Sequence, residues 1–138
     1  MSSSGPHSPP EPVRVDALAE TGGSWSQAVA YRDLVAVSGQ IALDPQGKVV
    51  GQGSLVEQAE YVFGCIDAAL AAAGSGREQL IKITMYVTTL DGLAELRRAR
   101  DRWLGPARPA STLVQVSGLV HEDLLIEVEA LAARTAGG

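Results

Sequence analysis

The sequence is short of the residues on which several common chemistries depend. Its 138 residues include one cysteine and two histidines. Cys65 alone closes no intramolecular disulfide, and His7 and His121 stand too far apart in sequence to form a metal pair at ligand spacing. No metal and no organic cofactor are therefore expected, and a nuclease using paired histidines is disfavoured. Positive charge is scarce as well: eleven Lys and Arg face sixteen Asp and Glu, for a net charge of -5 and a pI near 4.9. Such a balance provides no general cationic field for nucleic acid or an anionic membrane surface. No apolar run approaches the ~20 residues needed to cross a bilayer, and no basic segment followed by an apolar one marks the chain for export. The expectation is a protein of the reducing cytoplasm with neither nucleic acid nor membrane as a partner.

What is present is enough for one core. With 46% hydrophobic residues, the chain suits a single domain and is too short for two. Residues 1–12 hold four serines, four prolines and a glycine, a composition that buries too little to offset ordering, so a disordered arm is expected there. The domain is expected over 13–134, with a fraying tail at 135–138. Strand-like patterning begins at residues 26–31 and continues over 34–39 after a tight Arg32-Asp33 connection. Asp44-Pro45-Gln46-Gly47 reads as a turn; Gly22-Gly23 and Gly51-Gln52-Gly53 lack a strand-to-helix phosphate-loop context and read as turns too.

Ser54 with Glu57 three residues later is a capping box. It opens a helix whose apolar positions Val56, Ala59, Phe63, Ile66, Leu70 and Ala73 recur at spacings of three and four, with Gly74 as its stop. Cys65 flanks that stripe without a paired histidine, which favours a structural thiol over a nucleophile. Residues 80–88 alternate Ile81, Ile83, Met85 and Val87 against Lys82, Thr84, Tyr86 and Thr88, the mark of a strand. A second helix is expected at 92–104, with Asp91 as N-cap and Gly105 as stop. Two strands follow at 110–117 and 124–133. In the last, Leu124, Ile126, Val128 and Ala130 oppose Leu125, Glu127, Glu129 and Leu131. The order ββ(β)αβαββ gives an α+β domain, a mixed sheet with two helices on one face. The open face still carries Leu125, Leu131 and Tyr86, so an oligomer is expected.

Several segments occur in one fixed order: Trp25-Ser-Gln-Ala28, Val37-Ser-Gly-Gln-Ile41, Ala71-Ala-Ala-Gly74, Met85-Tyr-Val87, Arg108-Pro-Ala110 and Ile126-Glu-Val-Glu-Ala-Leu131. Each is weak alone; together they resemble the RidA/YjgF (Rid) family over about 25–134. The resemblance implies a chorismate-mutase-like fold, a homotrimer whose sheets form a central barrel, and small-molecule clefts at the subunit boundaries. For founding members it also implies hydrolysis of 2-imino acids and their enamine tautomers to 2-keto acids and ammonia, without cofactor. Carried over position by position, the family's Ser-Gly pair falls on Ser38-Gly39, its pocket tyrosine on Trp25 and its water-placing glutamate on Glu127. The family's Pro-Ala-Arg-Ser segment reads Pro109-Ala110-Ser111-Thr112. Ser111 stands where an arginine would grip a substrate carboxylate in a bidentate fork, which a hydroxyl does not reproduce. Leu113 is placed with Ser111 among the ligand-contacting positions.

On the second helix, Arg97 and Arg100 fall on the arc of Leu93, Leu96, Trp103 and Leu104, while Arg98 and Arg102 lie opposite. Aligned with the family, Arg97 takes the place of a pocket-facing asparagine and Arg100 that of a nearby tyrosine, so either is a candidate substitute cation. The alternative is that both cover apolar surface or pair with Glu127 or Glu129. Trp25 is a stacking platform or packing; Glu127 and Glu129 are a water-orienting pair or an intersubunit ladder. Three functions remain: a Rid-type hydrolase using Glu127 and Arg97, a non-catalytic trimer binding a metabolite or partner in the same cleft, and a specialised biosynthetic catalyst for a ligand without a carboxylate.

Overall fold

The computed structural model describes residues 8–135. Its order is β1 (Glu11–Val13), β2 (Ala28–Tyr31), β3 (Leu34–Ile41), α1 (Leu55–Ala72), a single 3-10 turn, β4 (Leu80–Val87), α2 (Leu93–Leu104), β5 (Ala110–Gln115) and β6 (Ile126–Ala133). The sheet runs β1-β2-β3-β6-β4-β5. Only the β4–β5 pair is parallel, as expected where a helical crossover, here α2, joins the two strands.

Local chemistry fixes α1 at both ends. The Ser54 backbone is extended, and its hydroxyl accepts the Glu57 N–H at 3.2 Å. At the other end Gly74 takes φ +78, its N–H reaches Ala71 O at 3.1 Å and the Ser75 N–H reaches Leu70 O at 2.8 Å. These two bonds form a Schellman closure that satisfies the last carbonyls. The buried stripe is wider than Val56, Ala59, Phe63, Ile66 and Leu70: Leu55, Val62, Cys65 and Ala69 join it, and Val56 is half-buried. This stripe lies against β3 and β6, meeting Val35, Val37, Ile126 and Val128 in one core with Ile83 and Met85 of β4. At α2, Trp103 stacks flat on Phe63, centroids 4.4 Å apart, and its indole N–H donates to Asp67 Oδ1 at 2.9 Å.

Gln58 is polar yet fully buried in α1. Its amide nitrogen donates to Gly51 O at 3.3 Å and Asp123 O at 3.0 Å, and its oxygen accepts the Leu125 N–H at 2.8 Å. It thereby pins the approaches to α1 and β6 to the helix, with its hydrogen-bonding capacity used on backbone.

Three expectations change. The arm does not extend to Pro12, because Glu11–Val13 pairs with β2; on an edge strand the N–H that Pro12 lacks costs little, and Val13 and Val15 add apolar anchorage. Residues 1–7 and the tail residues 136–138 lie outside those described. Asp91 is not the N-cap of α2. That position belongs to Gly92 at φ +88, with no side-chain cap, and the Asp91 N–H instead meets Thr89 Oγ1 at 3.0 Å. Ile81 is exposed rather than aligned with Ile83: the ladder runs Leu80↔Ala132 then Lys82↔Leu131, so Ile81 is the extra residue of a bulge.

Candidate functional site

A second bulge shapes the centre of the sheet. Val37 pairs with Ala130 and Gln40 with Val128, so Ser38 and Gly39 together oppose Glu129 alone. Ser38 is pinned there, its N–H donating to Gln27 O at 2.9 Å and its hydroxyl to Ser26 O at 2.6 Å. Gly39 is driven against Glu127, where a Cβ would overlap the carboxylate oxygen Oε2. A side chain at this position would have to displace the Glu127 carboxylate, so the glycine keeps that carboxyl where it is.

Glu127 is half-buried beneath this bulge. Burial pushes its carboxyl above the ordinary value, and the charge of Glu129 pushes the same way. Across the ladder Tyr86 faces Glu127. The Tyr86 hydroxyl is raised by burial first, then by the charge of Glu129, by a hydrogen bond to the Glu129 carboxylate and by Glu127. Two carboxyls and a phenol therefore share the open face. That arrangement can hold a water or move a proton between oxygens.

The expected residues divide into two groups. Trp25, 52% exposed, borders a cavity of about 260 Å³ that Gly39 also lines. Trp25, Ser38, Gly39 and Glu127 thus gather around the β3 bulge. Ser111 and Leu113 lie on the edge strand β5, opposite Ile83 and Met85, two strand spacings or about 10 Å from β6. Ser111 is exposed and Leu113 packs on the core. Arg100 is held by Asp101 at 3.0 Å. Arg97 is exposed and, among the described residues, makes no ion pair with either glutamate. No cation contributes to the charge balance at Glu127, and one chain does not bring Arg97, Arg100, Ser111 or Leu113 to it.

Sequence reasoning left Gln40 and Gln58 without roles. For Gln58 the signal was present, since it stands in the buried phase of α1 beside Ala59 and Val62. Cys65 is buried, and burial raises its thiol above the ordinary range. Among the described residues no group of three or more His, Cys, Asp or Glu is arranged to hold a metal, and no helix is long and apolar enough to cross a membrane.

Comparison with known proteins agrees with this geometry. The family model described as Endoribonuclease L-PSP matches residues 16–134. A RutC family protein of Pyrococcus abyssi is 34% identical over 110 residues, spanning 80% of this chain and 86% of that protein. The crystal structure of yeast Mmf1 superimposes with a TM-score of 0.85 at 29% identity, covering 92% of this chain and all of that one. E. coli TdcF, solved with bound serine, gives 0.82 at 26% identity, covering 91% and 99%. The sequence match over nearly the whole folded part and the shared six-stranded fold agree: the chain belongs to the RidA/YjgF family.

Proposed function

We propose that this chain forms a homotrimer that acts on a small enamine, imine or related carbonyl compound in a cleft between subunits. The observation that carries the reading is the Glu127 carboxyl, half-buried against Gly39 with its proton affinity raised. A carboxyl whose proton affinity is raised is better suited than an ordinary one to exchange a proton with a bound ligand. In its acid form Glu127 protonates the enamine carbon to give an iminium; as carboxylate it takes a proton from the water that attacks the imine carbon, passes that proton to the adduct's nitrogen, and recovers one from the new hydroxyl as the C–N bond breaks, releasing ammonia and the keto product. Orientation supplies most of the rate, because imine hydrolysis is intrinsically easy. An assembled trimer would bring a neighbour's β5 edge, with Ser111 and Leu113, to the half-site at the β3 bulge. The serine bound in TdcF supports a ligand of amino-acid size.

One observation favours the third function, a ligand without a carboxylate. Glu127 and Glu129 lie together and no cation contributes at Glu127, so a substrate carboxylate placed against Glu127 would meet repulsion. Arg97 of the same or another copy is the group proposed to relieve it. The test supplies purified protein with freshly generated 2-iminobutyrate and follows the 2-keto acid. The wild type is expected to be slow. Ser111→Arg with Arg97→Asn, which restores the deaminase pattern, is expected to be faster; a wild type equal to the double variant defeats the role given to Ser111. Arg97→Ala is expected to lower residual turnover roughly 30-fold, as for a partly desolvated charge contact. Unchanged turnover returns Arg97 to the surface.

A further inference from the structure

The cavity at the β3 bulge, about 260 Å³, has room for a one-ring molecule, since an apolar cavity of roughly 150 Å³ takes a benzene. The charge on its wall is of one sign. Glu20 and Asp44 line it, and no Lys, Arg or His does. Gly39, on the same wall, abuts the Glu127 side chain. Asp44 Oδ1 accepts the N–H groups of Gln46 and Lys48, both at 2.9 Å, which fixes the carboxyl in its turn. Its charge reaches the Tyr61 hydroxyl on α1, which is raised first by burial, then by Cys65 and then by Asp44. The Arg14 guanidinium is raised by its hydrogen bond to Asp16, then by that residue's charge and then by Glu20. It stays bonded to Asp16 at 2.6 Å, exposed and off the cavity wall. Among the described residues, Glu20, Asp44 and Glu127 enter no ion pair.

A buried acceptor points the same way. Gln40 lines the cavity and is 5% exposed. Its amide nitrogen donates to Gln27 Oε1 at 2.9 Å and to Ser38 O at 3.0 Å. The amide cannot be turned around: Ser38 O only accepts, and Gln27 must present its oxygen because its own nitrogen donates to Ala19 O at 3.0 Å. Gln40 Oε1 is therefore fixed as an acceptor, and no described residue donates to it. No fully enclosed side-chain polar atom lacks a partner among the described residues, so this oxygen meets open space, and the open space that Gln40 borders is the cavity.

We propose that the cleft takes a cation: a small protonated amine or iminium without a carboxylate, whose N–H donates to Gln40 Oε1 and whose charge lies among Trp25, Glu20 and Asp44. This rests on the proposed use of the bulge as the reaction cleft and names its substrate class. An apolar occupant would strand the Gln40 acceptor, an anion would be repelled by the acidic wall, and the Trp25 ring attracts a cation. The iminium formed when an enamine is protonated is itself such a cation, so the wall that selects the substrate also stabilises the intermediate of the proposed hydrolysis.

Benzylammonium, benzyl alcohol and phenylacetate share a ring and differ in charge. Each is titrated against the full chain and followed by backbone amide shifts. Benzylammonium is expected to move the amides of Gln40, Asp44 and Tyr61 and to bind at least about tenfold more tightly than phenylacetate, with benzyl alcohol between them. Glu20→Gln with Asp44→Asn is expected to remove that preference, and the asparagine keeps an oxygen to accept the turn's N–H groups. Glu95→Gln, which removes an exposed carboxyl on α2, is expected to leave the preference unchanged, separating the wall from the net charge of the chain. No difference among the three probes, tighter binding of phenylacetate, or a preference that survives the loss of both wall carboxyls overturns the proposal. The comparison of probes needs no variant, so a misfolded double variant leaves the test intact. Binding is read without turnover: a chain that prefers the cation yet hydrolyses no imine loses the proposed reaction and keeps this charge preference, whereas hydrolysis without the preference defeats this inference alone.

Discussion

At the scale of the residue, the contact between Gly39 and Glu127 sets the properties of the centre. The carboxyl is half-buried and stands beside a second carboxyl, so the native state holds the Glu127 proton more tightly than the unfolded chain does. A raised carboxyl contributes stability that is complete below the unfolded value near 4.5 and is lost as pH rises through the higher native value. Glu127→Gln abolishes this titration. The variant is expected to gain on the wild type in melting temperature as pH is raised from 4 to 8, and a difference independent of pH would show that Glu127 is not perturbed. The family's motif already pointed to Glu127 and Gly39. What the sequence did not reveal was the approach of Gly39 to the Glu127 side chain, a three-dimensional contact between strands that are distant in the chain.

At the scale of the element, legibility followed how local the determining chemistry was. Helix α1 was readable because Ser54 and Gly74 act within a turn of the ends they define, although the Glu57 side chain does not complete the capping box, since the Ser54 N–H donates to Gly51 O at 2.9 Å. Ser54→Ala is expected to cost roughly 0.5 to 2 kcal/mol, measured by denaturant unfolding; an unchanged midpoint would move the start of the helix. The start of α2 was misread because Asp91 has a good capping side chain, whereas the backbone turns one residue later, through a positive φ open to Gly92. Ile81 fits a perfect alternation on paper. A bulge opposite β6 displaces it, and alternation within one strand carries no information about the partner's register. Strand β1 escaped notice for a related reason: three residues including a proline gain their order from the backbone edge of β2, not from their own composition. For Arg97, Arg100, Ser111 and Leu113 the limit is different, because their proposed meeting with Glu127 requires another copy of the chain.

At the scale of the whole molecule, the open face of the sheet decides the assembly. Tyr86, Leu125 and Leu131 are only half-buried there, and light scattering is expected to report a trimer; a monomer at micromolar concentration would remove the proposed intersubunit cleft. Truncation separates the arm from the strand it leads into. Removing residues 1–7 is expected to leave the melting temperature within a degree or two, whereas removing 1–12 takes away Glu11 and Pro12, two of the three β1 positions paired with β2, and is expected to lower it measurably. Equal melting temperatures would show that β1 adds nothing to stability. The β3 bulge has a consequence of another kind. Side chains alternate with a period of two, yet Val37 and Gln40, three residues apart, are both buried, because the bulge takes up the surplus residue. Deleting Ser38 would restore one-to-one pairing and leave Gln40 opposite Val128 and Ile41 opposite Glu127, so Gln40 and Ala42 would keep the core side and Ile41 the other. The bulge is thus a place where the strand could shorten by one residue without turning its faces over, and Ser38 is there for the shape it gives the centre of the sheet rather than for the register beyond it.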